Sequence, residues 1–204
     1  MPSQTKRVYF GEYAFDVWEN VYEPAEDTYL FAENLPIRKG DVVLDMGTGC
    51  GLLGVFVAEK ASAVAAVDIN PYAVRCAKEN TKLNGFTDKV SFIQGDLFAP
   101  LKTEKQFDLI LFNAPYLPSK DSGGVSWIER AWVGGSDGRR VIDRFIHESA
   151  RYLRDAGRVL LMQSTLSDVD KTLKSFEKHD LKAKIVAEKS LPFFETIVLV
   201  QAER

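Results

Sequence analysis

A run of mixed acidic and apolar residues, FDLILF, leads into Asn113-Ala114-Pro115-Tyr116. The run reads as a buried strand, and its end supplies an amide, a stiff turn and an aromatic face. Upstream, VVLDMGTGCG is a strand carrying Asp45 near its end, then glycines at 47, 49 and 51, then the start of a helix. Asp68 closes a second strand (VAAVDIN), and Asp96 follows a third (FIQGDLF) with Leu97 beside it. Three acids at the ends of three successive strands stand where open α/β sheets hold their ligands.

The glycine loop brings backbone close to a ligand, and the helix start beyond it offers free N–H groups. It does not fit the dinucleotide fingerprint, because counting G-x-G-x-x-G from Gly47 puts Leu52 at the last glycine. Asp45 would also repel a pyrophosphate, whereas a carboxylate there suits an ammonium group. S-adenosylmethionine (SAM) has an amino-acid tail, a ribose and an adenine, and it fits. Asp68 would accept from the ribose hydroxyls. Asp96 would accept from the adenine amino group, with the Leu97 N–H donating to the ring. Each acid alone reads equally as a turn or helix-cap residue, and the glycines alone as a tight turn. Together they predict a SAM site.

A methyl donor explains the Asn113 motif. The lone pair of an amide or aromatic amine is delocalised, so such a nitrogen is a poor nucleophile until it is pinned and pyramidalised. Asn113 would accept one N–H through its side-chain oxygen, and the Ala114 carbonyl the other. Pro115 stiffens the turn, and Tyr116 offers a stacking face. The chemistry is orientation and electrostatics, with no general base before transfer. An ordinary Asn-x-Pro turn is the alternative.

The elements that must position these groups alternate. A hairpin (RVYF, AFDVW) and a helix within EPAEDTYLFAENL precede VVLDM. Strands and helices then alternate to the end, where LKAKIVAEK and ETIVLVQ are joined by a short link. This predicts an α/β fold with a doubly wound, mostly parallel sheet of seven strands, the last antiparallel. Residues 1–20 form the hairpin extension and 21–204 the main domain. Between Tyr116 and Arg139 lies a long stretch without periodicity, holding Gly123-Gly124, Trp127, Trp132 and Gly134-Gly135. Its length and tryptophans favour a binding loop over disorder.

Composition narrows the function classes. A net charge of -3 over 204 residues gives no global attraction to nucleic acid or acidic membranes. Cys50 and Cys76 form no C-x-x-C and have no histidine at ligand spacing, which argues against a disulfide framework or a metal site. There is no apolar run of membrane-spanning length and no secretory signal, so a cytoplasmic protein is expected. His147 and His179 carry no functional signal.

DMGTGCG, the acids after strands two and three, and NAPY resemble the Rossmann-like class I methyltransferases with an N-P-P-Y motif, which modify planar nitrogens. Within that group the chain is similar to the HemK family of protein-glutamine N5-methyltransferases. VYEPAEDTYLFAENL and AWVGGSDGRRVIDRF look like that family's segments flanking the core. Bacterial HemK proteins carry a helical domain in front, whereas little precedes EPAED here. That resembles the short archaeal and eukaryotic branch, whose members methylate the glutamine of the GGQ motif in class I peptide-release factors.

The resemblance implies that Asn113, Ala114, Pro115 and Tyr116 hold the substrate amide. It implies that Asp45, Gly47, Gly49, Asp68, Asp96 and Leu97 hold SAM, with Glu26 and Thr28 closing the site. Helix capping is the other reading of Glu26, Asp27 and Thr28. Trp132 and the Gly134-Gly135 turn would shape the entry. The family has proline where this chain has Ala114, which changes rigidity and adds an N–H. The short branch often works with a small zinc-binding activator subunit. In the family's strand order VSFIQ is a sheet edge, so Val90–Gln94 is the expected docking strand.

Other acceptors satisfy the same motif: adenine N6 or guanine N2 in nucleic acid, or a lysine amine, which needs Asn113 less. A base methyltransferase would want a basic groove, to which Lys102, Lys105, Lys120, Arg130, Arg139 and Arg140 could contribute; a solvated charged surface is the plainer reading. A non-catalytic SAM-binding scaffold would have no need of Asn113 and Tyr116.

Overall fold

Leucine, isoleucine and valine run almost unbroken through the central strands because both faces of the sheet are covered. A computed structural model of the chain describes residues 5–102, 106–119, 126–192 and 195–204. Its order of elements is β1 (Thr5–Phe10), β2 (Tyr13–Trp18), α1 (Glu26–Glu33), β3 (Val42–Met46), α2 (Leu52–Ala58), β4 (Ala63–Asp68) and α3 (Pro71–Leu83). Then come β5 (Val90–Gln94), β6 (Phe107–Asn113), α4 (Arg140–Tyr152), β7 (Leu153–Ser164), α5 (Val169–Glu177), β8 (Lys182–Ser190) and β9 (Thr196–Glu203).

β3 to β9 form one sheet in the order β5-β4-β3-β6-β7-β9-β8, with β9 antiparallel to both its neighbours. The expected seven strands and the antiparallel last strand are therefore present. Alternate residues feed two cores. Val43, Leu109, Leu111, Leu160 and Met162 face α1, α2, α3 and the β1–β2 hairpin. Leu44, Met46, Ile110, Phe112 and Leu161 face α4 and α5, through Ile142, Phe145, Ile146 and Phe176. Each such fully buried side chain contributes roughly 2 kcal/mol of transfer free energy.

The chain steps outward from β3 through β4 to β5, then returns to place β6 on the other side of β3. The connections diverge between β3 and β6, which leaves a crevice at the carboxyl ends of these two strands. The Gly47–Gly51 loop and the Asn113 motif both start there.

The hairpin is fastened to α3 by side-chain amides rather than by a sheet. Asn80 Oδ1 accepts from the Asp16 N–H at 2.8 Å, and its Nδ2 donates to the Asp16 carbonyl at 3.0 Å. Asn84 repeats the exchange with Ala14, at 3.1 and 2.8 Å. Two amides one helical turn apart thus satisfy an edge that β1 leaves open, while Phe15 and Val17 enter the core beneath.

One ion pair is sealed between the start of β3 and β7. Arg158 Nη2 lies 2.6 Å from Asp41 Oδ2, and both residues are buried. Asp41 also accepts the Arg38 N–H at 2.9 Å. Removing one member of such a pair strands the other charge. Arg158→Ala should lower unfolding free energy by about 3 kcal/mol, read as a fall in urea midpoint at constant slope. Asp41→Leu with Arg158→Met should recover most of the loss.

Candidate functional site

The crevice opens into a cavity of about 570 Å³. Its walls are the Gly47–Cys50 loop, the turns after β4 and β5, the Asn113–Leu117 motif, residues around Tyr22–Thr28, and Trp127 with Arg130–Val133.

On the loop side, Gly49 donates its N–H to Asp68 Oδ2 at 2.9 Å, and Asn70 donates its N–H to Asp68 Oδ1 at 2.8 Å. Each oxygen keeps a lone pair, as acceptance from two hydroxyls requires. Burial pushes the Asp68 carboxyl up, and these backbone donors oppose the shift. Asp96 and Leu97 also line the cavity. Asp96 Oδ2 accepts from Arg144 Nη2 at 2.7 Å, and Arg144 lines the same wall. Leu97 sits at φ 47°, a left-handed conformation that non-glycine residues hold only under local constraint.

Asp45 is placed differently from the expectation. It is 1% exposed and lies beneath the glycine loop rather than on the cavity wall. Its Oδ2 accepts from Thr48 Oγ1 at 2.6 Å, so it braces the loop. Gly54 in α2 crosses it so closely that an added Cβ would stand 2.9 Å from Oδ2. Burial pushes the Asp45 carboxyl up to about 7, the Asp68 charge adds to this, and donation from Thr48 and Gly54 opposes it.

Across the crevice, Asn113 Nδ2 donates to Asp27 Oδ2 and to Thr28 Oγ1, each at 3.2 Å. The amide thus turns its NH₂ toward these two acceptors. Asn113 Oδ1 is left buried and without a partner. An orphaned acceptor in a ligand-sized cavity is the mark of a site built for a donor absent from the chain itself.

Asp27 is the anchor. It is 5% exposed, yet among the described residues none of its hydrogen bonds comes from a lysine or arginine. Tyr22 Oη donates to its two oxygens at 3.1 and 3.2 Å, Tyr116 Oη to Oδ2 at 3.3 Å, and the Thr28 N–H to Oδ1 at 2.6 Å. Burial and then the Asp27 charge push both tyrosine hydroxyls well above their ordinary range, so they stay protonated donors.

Thr28 therefore joins the site, and Glu26 does not. Glu26 points out of the cavity and pairs with Lys189 on β8. Asp27, for which the sequence offered only helix capping, lies at the centre of this hydrogen-bond network. α1 has no side-chain cap hydrogen bond, and its buried residues are Asp27, Thr28, Phe31 and Ala32. An acid four residues from a core phenylalanine on one helix face was the available signal.

The motif after β6 is held by the long loop. Leu117 donates its N–H to the Trp132 carbonyl at 2.8 Å, and Gly134 donates to the Leu117 carbonyl at 2.9 Å. Gly138, at φ 73°, passes so near that a Cβ would stand 2.2 Å from the Tyr116 carbonyl oxygen. No side chain fits there. Ala114 donates its N–H to the Met162 carbonyl at 3.4 Å, a contact that proline lacks. Trp127 and Trp132 line the cavity, and Arg130 stacks over Trp127 at 5.0 Å.

Arg139 is not part of a basic surface. It is 2% exposed and donates to Asp143, Thr172 and the carbonyls of Ser167 and Asp168, fixing the start of α4. Lys105, Lys120 and Gly123-Gly124 lie outside the described residues. Among the described residues no cluster of three or more potential metal ligands occurs, and no helix is long and apolar enough to cross a membrane.

A family model for the methyltransferase small domain matches residues 23–128. The chain is 42% identical over 181 residues to a Methanocaldococcus jannaschii protein described as a protein N5-glutamine methyltransferase, covering 88% of this chain and 90% of that one. It is 31% identical over 180 residues to the methyltransferase HEMK2 of Mus musculus, covering 81% and 83% of the two chains. Among solved structures it is similar to the E. cuniculi Mtq2–Trm112 complex responsible for methylating the eRF1 translation termination factor. That match has a TM-score of 0.69 and 25% identity, over 91% of this chain and 99% of that one.

The raised Asp45 pKa fixes the sign of a pH effect. Unfolded, this carboxyl titrates near its ordinary value of 3.8, so between there and about 7 the folded chain holds a proton that the unfolded chain has released. The contribution to stability is complete below the lower limit and disappears as pH rises through the upper one. The stability of the wild type relative to Asp45→Asn should therefore fall between pH 5 and pH 8 in denaturant titrations. A difference independent of pH would contradict the assignment.

Proposed function

We propose, because the chain belongs to the HemK family of SAM-dependent protein-glutamine N5-methyltransferases, that its acceptor is the glutamine of the GGQ motif in a class I peptide-release factor. The observation carrying this reading is the orphaned Asn113 Oδ1, whose NH₂ is tied to Asp27 and Thr28. A primary amide offers two N–H donors. Asn113 Oδ1 takes one and the Ala114 carbonyl the other, with Tyr116 against the amide plane. SAM supplies an electrophilic methyl group on a sulfonium. Asp68, Asp96, Leu97, Gly47 and Gly49 hold its nucleoside side, and Asp45 acts from beneath by bracing the loop. Thr28 and Asp27 fix the amide of Asn113, so that the acceptor nitrogen meets a pre-set oxygen rather than a rotating one.

The likeness to the complex that methylates the eRF1 translation termination factor supports a translation-termination substrate for this chain. Bases in nucleic acid are the weaker reading. Of the four described cations that could build a basic groove, Arg139 is buried in structural bonds, and Arg130 and Arg140 line the cavity.

The reading extends to a partner. β5 pairs with β4 alone and is an edge of the sheet. Its VSFIQ strand carries no charge, so the free edge suits strand addition by a small zinc-binding activator subunit.

Transfer of labelled methyl from SAM should occur on a GGQ-containing release factor and vanish when that glutamine is replaced. Asn113→Ala should lower kcat by about 10³, the scale for losing an oriented acceptor in an enclosed site. Asp27→Ala should lower it by about 10² with SAM affinity little changed. Label on DNA or RNA alone would move the assignment to bases. A 1:1 complex with a zinc-binding subunit should appear in size exclusion, and a chain that stays monomeric beside it would remove the edge-strand partner.

A further inference from the structure

A second cavity, of about 350 Å³, adjoins the first between the end of the β1–β2 hairpin and the 3-10 turn at Glu129–Ala131. Tyr22 and Trp132 line both spaces and form their common wall. The inner surface is apolar, with Val17 and Val21 buried and Trp18 and Ile128 half-buried. Lys6 and Glu23, paired with each other, stand at its exposed side.

The catalytic cavity recognises little more than a primary amide, and every glutamine or asparagine carries one. Discrimination must come from what flanks the amide. A side chain reaching Asn113 enters a cavity whose lining includes Trp132, shared with the second space. An extended polypeptide advances roughly 3.3 Å per residue, so two or three residues carry it about 7–10 Å along. That is enough to pass one aromatic wall. The bond from Tyr22 Oη to Asp27 fixes this wall to the residue that orients Asn113.

We propose that the second cavity is a subsite for the substrate polypeptide, taking an apolar side chain two or three residues from the methylated glutamine. The inference rests on the glutamine reading above and adds where sequence context is read. Burying one apolar side chain in a half-open groove corresponds to about a tenfold effect on binding.

The test uses the full chain and two glutamine substrates: the intact release factor and the tripeptide Gly-Gly-Gln amide. Ile128→Ser should raise KM about tenfold for the release factor, leaving its kcat, the tripeptide kinetics and SAM affinity unchanged. A peptide scan on the wild-type chain, replacing flanking apolar residues by serine one at a time, should show a KM rise only two or three positions from the glutamine. Unchanged KM in the variant, an equal rise on both substrates, or a flat scan would overturn the subsite alone. Transfer to neither substrate by the wild type would overturn the glutamine reading, and the subsite with it.

Discussion

A buried carboxylate with no cation among its partners holds this molecule's working parts together. Asp27 sits on α1, yet its hydrogen bonds reach Tyr22 before the helix and both Asn113 and Tyr116 after β6. Withdrawing a charge from water costs several kcal/mol unless its lone pairs are filled, so each donor is under strong constraint to stay in place. The carboxylate thus converts a desolvation penalty into rigidity, at the point where an amide must not rotate. An arginine partner would satisfy it as well, but would compete with Asn113 and the tyrosines for the same lone pairs.

The same logic recurs at lower stakes around the crevice. Asp45 braces the glycine loop through Thr48, and Arg139 locks the start of α4 through Asp143 and Thr172. Gly138 lets the long loop lie flush against the Tyr116 carbonyl. None of these groups touches the orphaned oxygen of Asn113, but each fixes a segment lining the cavity or packed behind it.

Much of this was readable from residue order. Alternation between strand and helix patterns sets the sheet, because a parallel strand buried on both faces reads as an apolar run. Acids at strand ends announce the crevice, and Asp68, Asp96 and Asn113 all line it. Partner choice was harder to see, because it depends on segments distant in the chain. Apart from the four-residue spacing of Asp27 to Phe31, nothing local distinguishes exposed Glu26 from buried Asp27 beside it. That difference appears only once α1 is turned against β6. Arg139 looked like one surface cation among several until its carbonyl partners, nearly thirty positions away, came into place. Asn80 and Asn84 read as ordinary helix polar residues, and their exchange with Asp16 and Ala14 is invisible without the hairpin.

The sheet's two margins have opposite characters. β8, at one end, carries Lys182, Lys184, Glu188 and Lys189, and its ladder to β9 breaks register between Ile185 and Ala187. Charges and a bulge are the ordinary defences against a stray strand adding to an open edge. β5, at the other end, is short and regular and lacks a single charge. The sheet is therefore polar: one margin is guarded by charge and a bulge, and the other carries neither. For the isolated chain, colloidal stability then depends on whether the unguarded margin is kept covered.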